Sequence, residues 1–336
     1  MSSDQRSSGS AEDRLIARYF GPLIKHPGAL GLTDDAAVIT PPPGFDLVIT
    51  TDGVISGVHF FPDDPPASVA KKALRANLSD LAAKGASPLG FLLAIALPRD
   101  LDEAWLAAFA QGLGEDAEHY GCALLGGDTD RTPGLVSVSI TALGLVPQGS
   151  MVRRSGAKAG DVVVATGTIG DAALGLRLRR DPAVARRWGL STAHTEYLLD
   201  RYLLPQPRNA MAESVRRYGS AAMDVSDGLV GDLAKLCRAS RVAVDVEQAR
   251  VPLSDAATTA LAAEPALIET VLSGGDDYEI VATVSPDRLE PMKAAARSAG
   301  IRLAELGRVS AGAGEARFLD AQGRPLAFAQ PSFSHF

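Results

Sequence analysis

Short carboxylate clusters, most with glycine, serine or threonine alongside, recur along the whole chain. They read Thr33-Asp34-Asp35, Thr50-Thr51-Asp52-Gly53, Asn77-Leu78-Ser79-Asp80, Gly126-Gly127-Asp128-Thr129, Asp224-Val225-Ser226-Asp227-Gly228 and Gly274-Gly275-Asp276-Asp277. An aspartate at the end of a buried strand points at whatever lies over the sheet edge. Two unit charges about 4 Å apart repel by roughly 4 kcal/mol at an effective dielectric of about 20. Several converging there call for hard cations between them, and Mg²⁺ is the usual one where carboxylates and phosphates meet. A single Asp beside Gly also reads as a turn or a helix cap, and Asp227 reads as the cap of the helix that follows it. The recurrence of the pattern in both halves, with Thr50 and Thr51 adding oxygen ligands before Asp52, favours a metal–phosphate site.

The remaining motifs are weaker alone. Gly126-Gly127 offers backbone N–H groups to a phosphate, followed by Asp128 as an acceptor for metal. Neither GxxxxGK[ST] nor GxGxxG occurs, so the P-loop and dinucleotide folds are not indicated. Gly167-Thr168-Ile169-Gly170-Asp171 resembles a phosphate-cradling turn, and equally a plain helix start. Arg153 and Arg154 lie in a Gly-rich loop, where a guanidinium fork suits polyphosphate or simply faces solvent. His59 follows the Asp52 motif. No Ser-His-Asp or Cys-His arrangement appears, so no catalytic nucleophile is expected.

These groups must be held by an ordinary globular chain. It has 336 residues, 46% of them hydrophobic and 22% charged, enough for two domains. A net charge of −7 argues against nucleic acid as partner, though bound cations can invert the sign of a local site. Cys122 and Cys237 lack CxxC spacing and read as buried thiols in a reducing compartment. Met1 to Ser10 is polar, with no signal-peptide core, and reads as a tail. Leu89 to Leu97, bracketed by prolines, is about half the length of a membrane span. No membrane association and a cytoplasmic location are expected.

Periodicity predicts helices over 12–20, 68–84, 102–120, 169–179, 195–203, 227–238 and 286–299. It predicts strands over 36–40, 47–51, 91–97, 123–125, 136–146, 161–166, 221–225, 242–246, 279–284 and 303–309. The Gly- and Arg-rich stretch around Pro147 to Gly160 is the expected domain boundary, giving a tail over 1–11 and domains over 12–148 and 149–336.

Taken together, the clusters resemble the thiamine-monophosphate kinases, a family of the AIR-synthetase-like ATP-dependent superfamily. Further matching segments are Asp34-Asp35-Ala36-Ala37-Val38, Gly57-Val58-His59-Phe60, Ala76 to Ala83, Arg154-Ser155-Gly156-Ala157-Lys158, and Asp276-Asp277-Tyr278-Glu279. They occur in the family's order from about residue 12 onward. The resemblance implies an α/β (α+β) two-domain fold, with an N-terminal sheet that forms a barrel across a homodimer and a C-terminal α/β domain. It implies ATP-dependent phosphorylation of thiamine monophosphate to thiamine diphosphate, by direct in-line transfer with several Mg²⁺ ions. By position, Asp35, Thr50, Thr51, Asp52, Asp80, Asp128, Asp224 and Asp227 hold metal. Gly127, Arg154 and Ser226 contact ATP; His59, Asp276 and Phe333 contact thiamine monophosphate.

The family usually has Glu at position 276, Gly at 33 and Met at 84, where this chain has Asp, Thr and Lys; the last two are expected to touch no ligand. Competing readings are an AIR or selenophosphate synthetase, a metal-dependent phosphatase, and a non-catalytic Mg-ATP-binding protein. A selenophosphate synthetase has a reactive Cys or selenocysteine near its N-terminus, and this chain has no cysteine before Cys122.

Overall fold

Alternation of small and branched apolar residues builds the first sheet. The computed structural model describes residues 10–333. Strands β1 (Phe45–Ile55), β2 (Ser87–Pro98), β3 (Ala123–Thr132) and β4 (Ser137–Pro147) assemble in the order β1-β4-β2-β3. Along β4 every second residue is buried (Val138, Ile140, Ala142, Val146), the two-residue period of a strand with one covered face. β2 and β3 run parallel, joined by the helix Glu103–His119, whose start is capped by Asp102 accepting from Ala104 N–H at 3.0 Å. That helix is tied to the helix Pro66–Ala83 by a two-pronged ion pair from Arg75 to Asp116, at 2.6 and 2.9 Å.

The second sheet contains β5 (Val162–Thr166), β6 (Gly219–Val225), β7 (Val242–Glu247), β8 (Glu279–Val284), β9 (Leu303–Ala311) and β10 (Glu315–Leu319), in the order β10-β7-β9-β5-β8-β6. β5 and β8 lie inside the sheet and are buried along their whole length, which is why Val162–Ala165 and Ile280–Ala282 are apolar without alternation. Val163 and Ala165 join one core, with Leu174, Leu198, Leu233 and Leu236 from the helices over that face. Val162 and Val164 join the other, with Val215, Leu289 and Met292. Helices therefore cover both faces.

The chain divides into two compact units, one of residues 1–43, 49–77 and 88–144, the other of residues 44–48, 78–87 and 145–336. Both mix helices and strands.

Three expectations need correction. Residues 36–40 form no strand; Val38 N–H instead bonds to Gly28 O at 2.8 Å. β3 continues well past Leu125, because Gly126 and Gly127 extend the ladder rather than turn the chain. β10, pairing parallel with β7, was hidden by charged alternation in Glu315-Ala316-Arg317.

Candidate active site

In the N-terminal unit Asp35 lies in a bend before the first strand, and the other proposed ligands stand on strands, not at strand ends. Thr50, Thr51 and Asp52 lie within β1, and Gly127 and Asp128 lie within β3 opposite Leu93 and Ala94 of β2. Gly127 has no alternative: a Cβ there would sit 1.8 Å from the Leu93 carbonyl oxygen. The absent side chain lets the two strands close up and leaves backbone at the surface beside Asp128. Asp34, Asp35, Gly126, Gly127, Asp128 and Thr129 border a cavity of about 810 Å³ that opens onto this sheet. Asp35, Asp52 and Asp128 are all exposed. Thr51 Oγ1 donates to Ile140 O at 3.2 Å. His59 Nδ1 accepts from Ile55 N–H at 3.0 Å, which fixes the imidazole with its proton on Nε2 when neutral.

The C-terminal unit handles its carboxylates differently. Asp224 ends β6 and is only 4% exposed; Ser79 Oγ donates to it at 2.9 Å. Burial first, then the nearby charges of Asp80 and Asp232, push its carboxyl well above the usual range. Asp232 was not singled out from the sequence. It is fully buried in the helix Leu229–Ser240 and accepts from the N–H groups of Ser226 (3.0 Å) and Asp227 (2.9 Å). Lys235 bridges Asp232 and Asp227. The loop 226–228 is thus shaped from behind by the first turn of the helix it precedes. Asp227 is not that helix's cap: the N-cap is Gly228, and the Asp227 carboxylate pairs with Lys235 instead.

Lys84 also departs from expectation. Its Nζ donates to Ala222 O at 2.7 Å, and it lies close enough to Asp224, Asp80 and Arg154 to respond to their charge. Burial foremost, then Arg154, lowers its pKa to about 8, with Asp224 and Asp80 opposing. Arg154 is exposed on a loop pinned through its backbone, where Arg154 O accepts from Ser240 Oγ at 2.6 Å.

The segment around Asp276 is braced on all sides. Asp276 N–H donates to Ser226 O and Tyr278 N–H to Val225 O, both at 2.8 Å. Asp277 is wholly buried and accepts from Gly170 N–H at 2.8 Å, so it is a structural brace for the neighbouring loop. Glu279, also fully buried, accepts from Arg201 at 3.1 Å, Thr166 at 2.8 Å, and both prongs of Arg208. The Gly167–Asp171 turn is not a phosphate cradle. Its N–H groups at Gly167, Ile169 and Gly170 go to Arg302 O, Pro252 O and Asp277 Oδ1. Phe333 is 49% exposed, and its N–H donates to Asp227 O at 3.0 Å.

Among the described residues no three His, Cys, Asp or Glu side chains converge closely enough to hold a metal ion as they stand. The donor set nevertheless fits Mg²⁺. It is all oxygen, and in Asp224 it includes a carboxylate whose charged form is opposed first by burial and then by its acidic neighbours.

Both halves of the chain match known domains. The AIR synthase related protein N-terminal domain matches residues 33–146, and the corresponding C-terminal domain matches residues 158–320. The thiamine-monophosphate kinase of Caulobacter vibrioides is 44% identical over 303 residues, 89% of this chain and 84% of that protein. A crystal structure of thiamine-monophosphate kinase from Stenotrophomonas maltophilia K279a superposes with a TM-score of 0.78 at 36% identity, covering 95% of this chain and 98% of the other. AaThiL complexed with AMPPCP and TMP gives a TM-score of 0.74 at 28% identity, over 97% of this chain and 94% of that one. The chain belongs to the thiamine-monophosphate kinase family of AIR synthase related proteins.

Proposed function

We propose that this chain transfers a phosphoryl group from ATP to thiamine monophosphate, giving ADP and thiamine diphosphate. The observation that carries the reading is the carboxylate set itself, with Asp224 buried against Asp80 and Asp232 in a chain of this family. The AaThiL complex with AMPPCP and TMP supports the same pair of substrates.

The acceptor is a phosphate oxygen, largely ionised at neutral pH because its second pKa is about 6. No general base is needed, and the chain's task is to place the two phosphates in line and neutralise their charge. Asp35, Thr50, Thr51, Asp52, Asp80, Asp128, Asp224 and Asp227 would hold Mg²⁺. Bound there, Mg²⁺ offsets the negative charge of the reacting phosphates. Gly127, Arg154 and Ser226 are assigned to ATP. His59 and Asp276 are assigned to thiamine monophosphate, and Phe333 offers an aromatic face to its cationic thiazolium.

Domains over 12–148 and 149–336 complete the proposal, with a homodimer through the N-terminal sheet. Ile49, Ile55 and Leu92 leave apolar side chains exposed on that sheet, Ile49 at 62%, a surface that a second copy would cover. Among the described residues no helix is long and apolar enough to cross a membrane, which agrees with the proposed cytoplasmic location.

The test is an assay with Mg-ATP and thiamine monophosphate, with AIR-type and selenide substrates as controls. ADP and thiamine diphosphate should form one to one. Phosphate release without thiamine diphosphate would favour a phosphatase; ATP binding without turnover would favour a non-catalytic binder.

A further inference from the structure

Two of the three residues assigned to thiamine monophosphate hang from consecutive carbonyls of one loop. Asp276 N–H bonds to Ser226 O at 2.8 Å, and Phe333 N–H bonds to Asp227 O at 3.0 Å. Asp276 follows the short helix Ile268–Ser273 after only Gly274 and Gly275, so its place is set by that helix. Phe333 instead arrives at the end of a strap with no regular secondary structure, and something must hold that strap in place.

Three contacts do so. Glu269, on the helix Ile268–Ser273, receives two backbone N–H groups on one carboxylate oxygen, from Ala329 at 2.6 Å and Gln330 at 3.2 Å. Phe328 packs edge-on against buried Phe318, ring centres 5.9 Å apart. Gly231, in the first turn of the helix Leu229–Ser240, lies beneath Ser332. A Cβ at Gly231 would come within 2.4 Å of Ser332 Cβ and 3.1 Å of Pro331 O. Only a residue without a side chain lets the strap lie this close to the loop that carries Asp227.

We infer that Glu269 and Gly231 are positioning residues for the phosphoryl acceptor: they seat the strap so that Phe333 is held on the same loop as Asp276. The inference rests on the reading of Phe333 as a substrate contact. Neither residue touches substrate; both act through the strap.

The experiment compares Phe333→Ala, Glu269→Ala, Glu269→Gln, Gly231→Ala and the double variant Gly231→Ala/Ser332→Gly, by steady-state kinetics, melting and amide hydrogen exchange. Glu269→Ala and Gly231→Ala should each raise KM for thiamine monophosphate about tenfold, with KM for ATP unchanged. Gly231→Ala should do so with an unchanged or higher Tm, since alanine favours a helix over glycine. Ser332→Gly should restore KM in the Gly231→Ala background by removing the clashing Cβ. Glu269→Gln, which keeps the accepting oxygen, should stay near wild type. The Ala329 and Gln330 amides should exchange faster in Glu269→Ala. If Phe333→Ala raises KM but Glu269→Ala and Gly231→Ala do not, the inference is wrong and the reading of Phe333 stands. If Phe333→Ala leaves KM unchanged, the reading of Phe333 fails and the substrate role of the strap fails with it. Unchanged exchange at Ala329 and Gln330 in Glu269→Ala would remove the anchor itself.

Discussion

Asp52 and Asp128 stand on strands of the N-terminal unit with their side chains open to water, whereas Asp224 ends a strand of the C-terminal unit almost wholly enclosed. Both kinds are assigned the same task, yet the physics of waiting for a cation differs. An exposed carboxylate keeps its hydration. A buried one, pressed by Asp80 and Asp232, opposes folding of the metal-free chain. The comparison teaches that aspartates identical in the sequence divide into those that stay at the surface and those whose burial also sets the stability of the unliganded protein.

The largest expected effect tests the exposed group. Asp52→Asn and Asp128→Asn should nearly abolish turnover with the fold intact, because each removes a ligand charge while keeping the side chain's shape. A variant keeping more than about a tenth of wild-type kcat, a loss under about 1.4 kcal/mol, would take that residue out of the metal set.

Next in size is the substrate side. Asp276→Ala should raise KM for thiamine monophosphate about ten- to a hundredfold, the effect of losing a charge-assisted contact of about 1.5–3 kcal/mol. KM for ATP should hold, and Asp276→Glu should keep KM near wild type. Asp277→Ala is the control and should lower Tm instead, since Asp277 braces Gly170.

A third measurement sharpens the contrast directly. Wild-type Tm should rise in the order EDTA, Mg²⁺, Mg²⁺ with an ATP analogue, because each ligand binds the folded state alone. Asp224→Asn should melt higher than wild type in EDTA and gain less from Mg²⁺. An Asp224→Asn protein that melts lower in EDTA would show that its charge is already balanced in the fold.

The smallest effect is set by pH. Folded Lys84 has its pKa lowered to about 8, against about 10.4 when unfolded. Between those values the unfolded chain binds more protons, so stability in EDTA should rise with pH through that window. Lys84→Met should lack the rise and be more stable at pH 7 by about 1–3 kcal/mol. Parallel pH profiles for the two proteins would exclude a charged, buried Lys84.

Most of this architecture was readable beforehand because its signals are local. β5 and β8 carry apolar stretches without alternation, and the helix over 103–119 shows both its periodicity and its Asp102 cap. Gly126-Gly127 misled because glycine pairs mark turns more often than strands, and only the approach of Leu93 explains them here. Asp232 and Glu269 were missed for another reason. Each looks like an ordinary helix acid, and its importance lies in backbone N–H groups distant in sequence or across a loop, at 226–227 and 329–330. Lys84 stood out only as a departure from the family, because a lone lysine at the end of a helix gives no sign of being half-buried.

Asp276 adopts a left-handed backbone, φ 62°, and Tyr278 close by does the same at φ 51°. Aspartate enters that region several-fold more readily than most residues, because its short polar side chain can bond locally. The glutamate that the family resemblance leads one to expect there lacks that ease. For an evolving lineage, exchanging Glu for Asp at this position trades one methylene of reach for a more relaxed turn. Tyr278 enters the same region without that local ease, and its hydroxyl donates to Asp276 Oδ1 at 3.3 Å, so the two left-handed residues hold each other in place and the turn keeps its shape as a pair.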